Sequence, residues 1–301
     1  MRKLETSVPS AIAIALLAAA LAPPAAHAQI FVTNRIAHMV SEYGLDGTVI
    51  NASLTAGPSG IAVSGQDIFV VNNNSIYEYT TSGAVVSAPL VANTQASGLS
   101  SPFNIAVSGS NLFVTDSANN YIDEFTTAGA RVAVPLFQGF GFLEGIAVSG
   151  SYLFVGSSSQ WSLGVYTTSG AVVNASLIPG LSEPAWFAIS GPDLFVANGR
   201  GVGEYTLAPT YDSIISSNPS LISGLEGSRG VAVYGSDLYV TSNYTISEYD
   251  MSGNLLMKIQ DLNDPLDIVV VPEPATGSIA AVAGLALLVR RPGRWAGRPG
   301  R

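Results

Sequence analysis

A short phrase, Ile61-Ala62-Val63-Ser64-Gly65, returns with altered spelling at 105–109, 146–150, 187–191 and 231–235, and once more, truncated, as Ile268-Val269-Val270-Val271. The starts lie 44, 41, 41, 44 and 37 residues apart. A fixed period of this size means that one supersecondary unit is repeated and that each copy buries its apolar face against the next. After a short polar link, each of the first five phrases is followed by a second apolar triplet: Ile68-Phe69-Val70, Leu112-Phe113-Val114, Leu153-Phe154-Val155, Leu194-Phe195-Val196 or Leu238-Tyr239-Val240. A third run comes next, at 76–79, 122–125, 163–166, 202–205 and 246–249, usually closed by a turn such as Thr81-Ser82-Gly83 or Thr168-Ser169-Gly170. Glycine there suits the positive φ of a three-residue hairpin loop. A fourth run, such as Ala84-Val85-Val86, completes the unit. Short β-branched and aromatic runs parted by Ser-Gly turns read as strands, and four antiparallel strands per period describe a propeller blade.

The ends of the repeat array complement each other. Residues 31–34, 40–43 and 48–50 supply second, third and fourth strands without a first, whereas 268–271 supply a first strand alone. One blade is therefore expected to be shared between the ends, which closes the ring and pairs edges otherwise open to aggregation. The predicted fold is all-β: a six-bladed β-propeller of four-stranded antiparallel blades over residues 29–271, expected to act as a monomer. A Gly-Ile-Ala-Val phrase followed by an aromatic-Val-x-Asn/Asp phrase resembles NHL-type repeats, and this resemblance, which covers nearly the whole body, implies the same wheel.

Both flanking segments read as addresses. Arg2 and Lys3 precede an apolar run at 11–22, then Pro23-Pro24 and Ala26-His27-Ala28, the small-x-small form of a cleavage site. Residues 1–28 are read as a secretory signal peptide, with Gln29 as the mature start. At the other end, Val271-Pro272-Glu273-Pro274 is followed by an apolar stretch at 277–289 and then by Arg290, Arg291, Arg294, Arg298 and Arg301. As a helix that stretch would reach only about 20 Å, short of the roughly 30 Å hydrocarbon core, which suits transient membrane association better than a permanent span. The order of motif, apolar segment and basic stop over 272–301 resembles the PEP-CTERM sorting signal of Gram-negative bacteria. That resemblance implies export across the inner membrane, handling by an exosortase-type membrane protease, and delivery to the cell surface or the extracellular polysaccharide matrix.

Composition then prunes the chemistry. With no cysteine the chain has no disulfide framework and no thiolate metal site. Without the leader and the arginine-rich end, residues 29–276 hold 5 basic and 20 acidic side chains. Such a balance keeps an exported protein soluble and disfavours nucleic acid, whose phosphates require Lys and Arg. His38 is the only histidine of this body, which disfavours His-based triads, multi-His zinc centres and the channel histidine of virginiamycin-lyase-like propellers. There is no Gly-x-Ser-x-Gly elbow, and Gly199, Gly201 and Gly203 are expected to join two strands rather than to open a dinucleotide-binding helix. A non-enzymatic role is favoured and no catalytic residue is assigned.

Comparison among blades separates architecture from function, because a residue shared by most blades serves the fold. Asn34, Asn72, Asp116, Ser157, Asn198 and Ser242 form one column, expected to cap turns. Glu42, Glu78, Glu124, Glu204 and Glu248 form another, broken by Val165 and expected to be solvated strand-face carboxylates. Blade-specific residues gather where the chain enters each first strand, at one mouth of the channel: Gly60, Asn104, Gly145 after Glu144, Trp186, Gly230 after Arg229, and Asp267. Phe103 and a loop bearing Phe140 and Phe142 lie nearby in sequence. This mouth is the expected ligand site; aromatic faces beside Asn, Asp and Arg suit a polysaccharide, and a surface protein is the other expected partner. Regucalcin and gluconolactonase-like enzymes share the six-bladed architecture and hold calcium in the channel. Their resemblance implies an alternative, a calcium-dependent hydrolase or lactonase in which Asn104, Glu144 and Asp267 would offer oxygen ligands. Asp261, Asn263 and Asp264 lie just ahead of Asp267 without EF-hand spacing and are read as a loop.

Overall fold

Each repeat period folds as four antiparallel strands stepping outward from a common axis, because the apolar triplets alternate with Ser-Gly and Thr-x-Gly turns that only a hairpin can accommodate. The computed structural model describes residues 28–272 apart from 57–58, 134–135, 137–140, 183–185 and 263. The leader at 1–27 and the stretch at 273–301, with Glu273 and Pro274, lie outside the described residues, as does Phe140. Residues Ala28–Val271 form one unit.

The chain opens with β1 (Gln29–Asn34), β2 (Met39–Gly44) and β3 (Val49–Ala56). The first complete blade is β4 (Ile61–Ser64), β5 (Asp67–Asn72), β6 (Ser75–Thr80) and β7 (Val85–Val91). The second is β8 (Pro102–Ser108), β9 (Asn111–Asp116), β10 (Tyr121–Thr126) and β11 (Arg131–Ala133). The third is β12 (Leu143–Ser149), β13 (Tyr152–Ser157), β14 (Ser162–Thr167) and β15 (Val172–Pro179). The fourth is β16 (Phe187–Ser190), β17 (Asp193–Ala197), β18 (Gly199–Leu207) and β19 (Ile214–Ser228). The fifth is β20 (Val231–Tyr234), β21 (Asp237–Ser242), β22 (Thr245–Asp250) and β23 (Leu255–Ile259), and β24 (Pro265–Val271) follows. The closing sheet has the order β24-β1-β2-β3, with Gln29 opposite Val271 and Phe31 opposite Val269. The protein is thus a six-bladed all-β propeller whose composite blade draws on both ends of the body. Gly199, Gly201 and Gly203 lie within strand β18 rather than between two strands, and the next element is strand β19, not a helix.

The core sits between blades. Second-strand aromatics Phe31, Phe69, Phe113, Phe154, Phe195 and Tyr239 are all fully buried, each worth roughly 1.5–3 kcal/mol of apolar transfer. One cluster joins Phe69, Val71 and Ile76 of the first blade to Ile105, Leu112 and Phe125 of the second, and equivalent clusters recur around the ring. Opposite these aromatics stand the glutamates: Phe31 faces Glu42, Phe113 faces Glu124 and Tyr239 faces Glu248. Two of the glutamates are not the solvated carboxylates the sequence suggests, while Glu78, Glu204 and Glu248 are half-buried. Glu42 and Glu124 are only 5% and 7% exposed, because the pleat that buries the aromatic also draws in its cross-strand neighbour. Gln29 donates to Glu42 at 2.6 Å, Asn111 to Glu124 at 2.8 Å and the Tyr239 hydroxyl to Glu248 at 2.8 Å. Burial raises the pKa of Glu42, Glu78, Glu124 and Glu204, with Asp67 and Asp193 adding to the rise at Glu78 and Glu204.

Two devices register one blade on the next. Thr33, Thr115 and Thr241 each accept from a first-strand N–H of their own blade, those of Asp267, Asn104 and Gly230. Each then donates forward to a carbonyl of the following blade, that of Ser59, Glu144 or Leu266. On the opposite face, Gly83, Gly129, Gly170 and Gly253 close the third-to-fourth strand hairpins with φ between +81° and +88° and pack against Leu54, Leu90, Leu136 and Leu221 of the preceding blade. A Cβ on Gly170 would lie 2.5 Å from the Leu136 carbonyl oxygen, whereas one on Gly150, also at positive φ, would meet nothing within 4 Å. Gly150→Ala is therefore expected to cost about 1–2 kcal/mol from its left-handed backbone alone, and Gly170→Ala measurably more. Urea denaturation of the two variants checks this; equal losses would show that the blade contact contributes nothing.

Candidate functional site

The loops that deliver the chain to each first strand define one face of the wheel, the connection face. First-to-second strand hairpins define the other, the hairpin face, where Gln29 and Val271 lie paired. At the connection mouth, the blade-specific column reads in ring order Gly60, Asn104, Gly145, Trp186, Gly230, Asp267. Small and large residues alternate, and the large ones are buried. Alternation of this kind lets three side chains converge on an axis that six could not share. A Cβ on Gly60 would lie 2.6 Å from Asn104, and one on Gly230 would lie 2.5 Å from the Leu266 carbonyl.

Main-chain donors engage the oxygens of this plug. Asp267 Oδ2 accepts from the Ile61 N–H of the next blade at 3.0 Å, and Oδ1 from Ile268 N–H at 2.9 Å. Asn104 Oδ1 accepts from Ile105 N–H at 2.7 Å. The Trp186 indole N–H approaches the Asp267 carboxyl closely enough to favour its ionised form, yet closes no hydrogen bond of good geometry. Phe103 is half-buried with its ring 5.6 Å from that of Trp186, and Leu266 completes their cluster. The plug residues Asn104, Trp186 and Asp267 line a cavity of about 310 Å³ whose other walls are the apolar first strands, from Ile61-Ala62-Val63 around to Ile268-Val269-Val270.

The remaining expected site residues are placed apart from the plug. Glu144 is half-buried and is not among the residues lining the cavity. Arg229 donates to Asp264 Oδ1 at 3.0 Å, while Arg35 binds Oδ2 of the same carboxylate at 2.6 Å. Asp264 and Asp261 lie in a loop at positive φ, and Asn263 is outside the described residues. Asn104 and Asp267 do meet at the mouth, but a cation there would have to displace three N–H donors from their oxygens, the reverse of an oxygen-rich calcium cage. Among the described residues, no three His, Asp or Glu side chains form a group that could hold a metal ion. His38 sits exposed in the β1–β2 turn, away from the channel wall.

Phe142, by contrast, is 47% exposed on the connection face. Its N–H donates to Ser159 Oγ at 2.8 Å and its carbonyl accepts from Ser158 N–H at 3.1 Å, so the β13–β14 turn holds it. The same turn ends in Trp161, 55% exposed with φ +53°, a residue that sequence comparison passes over. The signal for it is positional: the residue before each third strand reads His38, Asn74, Asn120, Trp161, Asn198, Tyr244. Tyr244 is likewise exposed, and Trp161 and Tyr244 both accept from a leucine N–H of the next loop, Leu181 and Leu262.

No protein-family model matches the sequence, and neither does any curated protein. Solved structures do match in fold. A chain from a nidogen/laminin complex aligns with TM-score 0.66 at 15% identity, covering 82% of this chain and 99% of that one. A functionally unknown protein from Desulfotomaculum acetoxidans aligns with TM-score 0.58 at 13% identity, covering 82% and 86%. A catalytically inactive virginiamycin B lyase from Staphylococcus aureus, with quinupristin, aligns with TM-score 0.52 at 20% identity, covering 71% and 73%. These likenesses bear on the fold alone.

Burial pushes the Asp267 carboxyl up from 3.8 to about 7, against the lowering effect of its N–H donors. It likewise pushes Asp123 up to about 6 despite the Arg131 guanidinium. An acid whose folded pKa is raised makes the native state bind more protons than the unfolded chain, so the stability it confers is complete below about pH 4 and is lost as pH climbs through 7. The melting temperature should therefore fall steadily over that window. Asp267→Asn should flatten the fall while lowering stability at the acid end, where the protonated carboxyl is best tolerated; an unchanged slope in calorimetry would disprove the assignment.

Proposed function

We propose that this protein is a non-enzymatic binding module, exported through the signal peptide at 1–28, directed to the cell surface or matrix of a Gram-negative bacterium by the PEP-CTERM-like segment at 272–301, and engaging a matrix component through its connection face. An exosortase-type protease is the partner proposed for the sorting segment. The observation that carries the reading is the placement of the two chain ends. Gln29 and Val271 are paired at the hairpin face, so the two ends of the ring lie on the opposite side of the wheel from the connection face. That face also holds the exposed Phe142, Trp161 and Tyr244, and exposed aromatics of this kind are characteristic of recognition surfaces. A structural relative occurs in a nidogen/laminin complex, which agrees with a propeller serving as a binding scaffold. Asn104 and Asp267, two of the three side chains the hydrolase alternative draws on beside Glu144, are already bonded to main-chain N–H groups.

Fractionation tests the sorting half of this reading: a chain ending at Val271 should appear in the medium, whereas the full chain should stay with the cell envelope or matrix. For the binding half, immobilised protein should retain material from the producing cells' matrix, and calcium or a chelator should leave both retention and melting temperature unchanged. A calcium-dependent rise in melting temperature together with lactone hydrolysis would replace this reading with the hydrolase.

A further inference from the structure

Among the blade-specific residues, Trp161 is the one that violates local preference without a compensating contact in the core. Bulky side chains avoid left-handed backbone, and the equivalent positions that share this backbone in other blades hold His38, Asn74 and Asn120, residue types that tolerate it. Trp161 nonetheless sits at φ +53° with more than half of its surface in water. Strain combined with exposure is a pattern found where a side chain is held for recognition rather than for packing.

The surroundings make Trp161 part of a built surface. Ser157 Oγ accepts from Gln160 N–H at 3.3 Å, and Leu181 N–H binds the Trp161 carbonyl at 2.9 Å. On the neighbouring side, the Asn120 amide is oriented to donate to the Gly141 carbonyl at 2.6 Å, and Ser117 Oγ donates to the Leu143 carbonyl at 2.7 Å. A Cβ on Gly141 would strike Ser159, so Gly141 and Phe142 lie close against the turn. Second-blade and third-blade turns thus hold residues 141–143 between them, and the two exposed rings belong to that clasp.

We infer that Phe142 and Trp161 form a stacking subsite for a neutral polysaccharide, an inference that rests on the binding role proposed above and specifies its ligand. Aromatic faces carry the negative lobe of the ring quadrupole and attract the weakly positive C–H face of a sugar ring. The polar groups of the turn, Ser158, Ser159 and Gln160, are uncharged, as suits hydroxyl ligands. With 20 acidic against 5 basic residues in 29–276, the body repels acidic polymers. Charge thus excludes the acidic class, and the uncharged turn offers a cationic one no carboxylate beside the rings.

Affinity electrophoresis of the full processed chain in gels containing dextran or hydroxyethyl cellulose, with alginate as the acidic comparator, tests the inference. Retardation is expected in at least one neutral gel and not in alginate. Trp161→Asn installs the residue other blades use, so it should melt at the same temperature as the parent or higher while losing at least tenfold in affinity; Phe142→Ala should lose a smaller factor and Trp161→Phe should retain most of the binding. If Trp161→Asn binds the neutral glucan like the parent, the subsite is overturned while the binding role stands. If the parent retains a matrix protein that Trp161→Asn loses, and no glucan, the polysaccharide assignment is overturned. If the parent retains nothing from the matrix, the role itself fails and the subsite with it.

Discussion

The wheel depends on one non-covalent seam, the pairing of β24 with β1. Elsewhere a hairpin holds each first strand to its second, but here the two strands come from opposite ends of the body. The seam carries side-chain staples at its connection-face end, opposite the end where the other blades have a turn. Arg35 N–H bonds the Asp264 carbonyl at 3.0 Å and its guanidinium grips the Asp264 carboxylate, while Asp267 N–H bonds Thr33 Oγ1 at 3.0 Å. Asp267 then reaches forward to Ile61 N–H, so the carboxylate that helps to plug the channel also ties the closing blade to the first. With only 5 basic residues in the body, the engagement of both Arg35 and Arg229 by Asp264 concentrates much of the available positive charge on this seam.

The plug follows from the same geometry. Inner strands crowd most at the axis, and alternating glycine with Asn104, Trp186 and Asp267 lets three side chains fill what six would overpack. Because main-chain N–H groups engage these oxygens, the mouth is closed by its own wall. This is why the proposed recognition site lies on the rim, where turns rather than inner strands set the chemistry.

Much of this was readable from the amino acids. Period, strand count per unit, composite blade and turn caps all appear as columns, and Asp116, which accepts from Ser100, Ser101 and Asn119 N–H groups, shows that the capping column works as read. What columns cannot convey is direction around a ring. Gly60, Asn104, Gly145, Trp186, Gly230 and Asp267 are visibly different from one another in sequence, but their alternation has meaning only once six strands share an axis. Arg229 looks free for a ligand until Asp264, 35 residues later, is folded onto it. The glutamate column looks solvated because Glu usually is, and its burial becomes visible only in register with the buried aromatics across the strand.

Departures from the repeat are of two physical kinds. Val165 breaks the glutamate column, Tyr152 stands where other blades place Gln29, Asp67, Asn111, Asp193 or Asp237, and the fourth blade replaces its Thr-x-Gly turn with one carrying Tyr211. These changes answer one another: Tyr211 packs edge-on to Tyr152 at 4.9 Å and to Phe154 at 5.4 Å, and bonds Ser149 Oγ through its hydroxyl at 3.3 Å. An aromatic cluster has replaced a carboxylate pair, and the fold accounts for every member. Trp161 has no such answer within the core, since its ring faces water and its backbone is strained. When each local choice in a sequence otherwise agrees with the global fold, an uncompensated exception points outside the fold for its explanation. On that ground the proposed site of recognition is the third-blade turn rather than the channel.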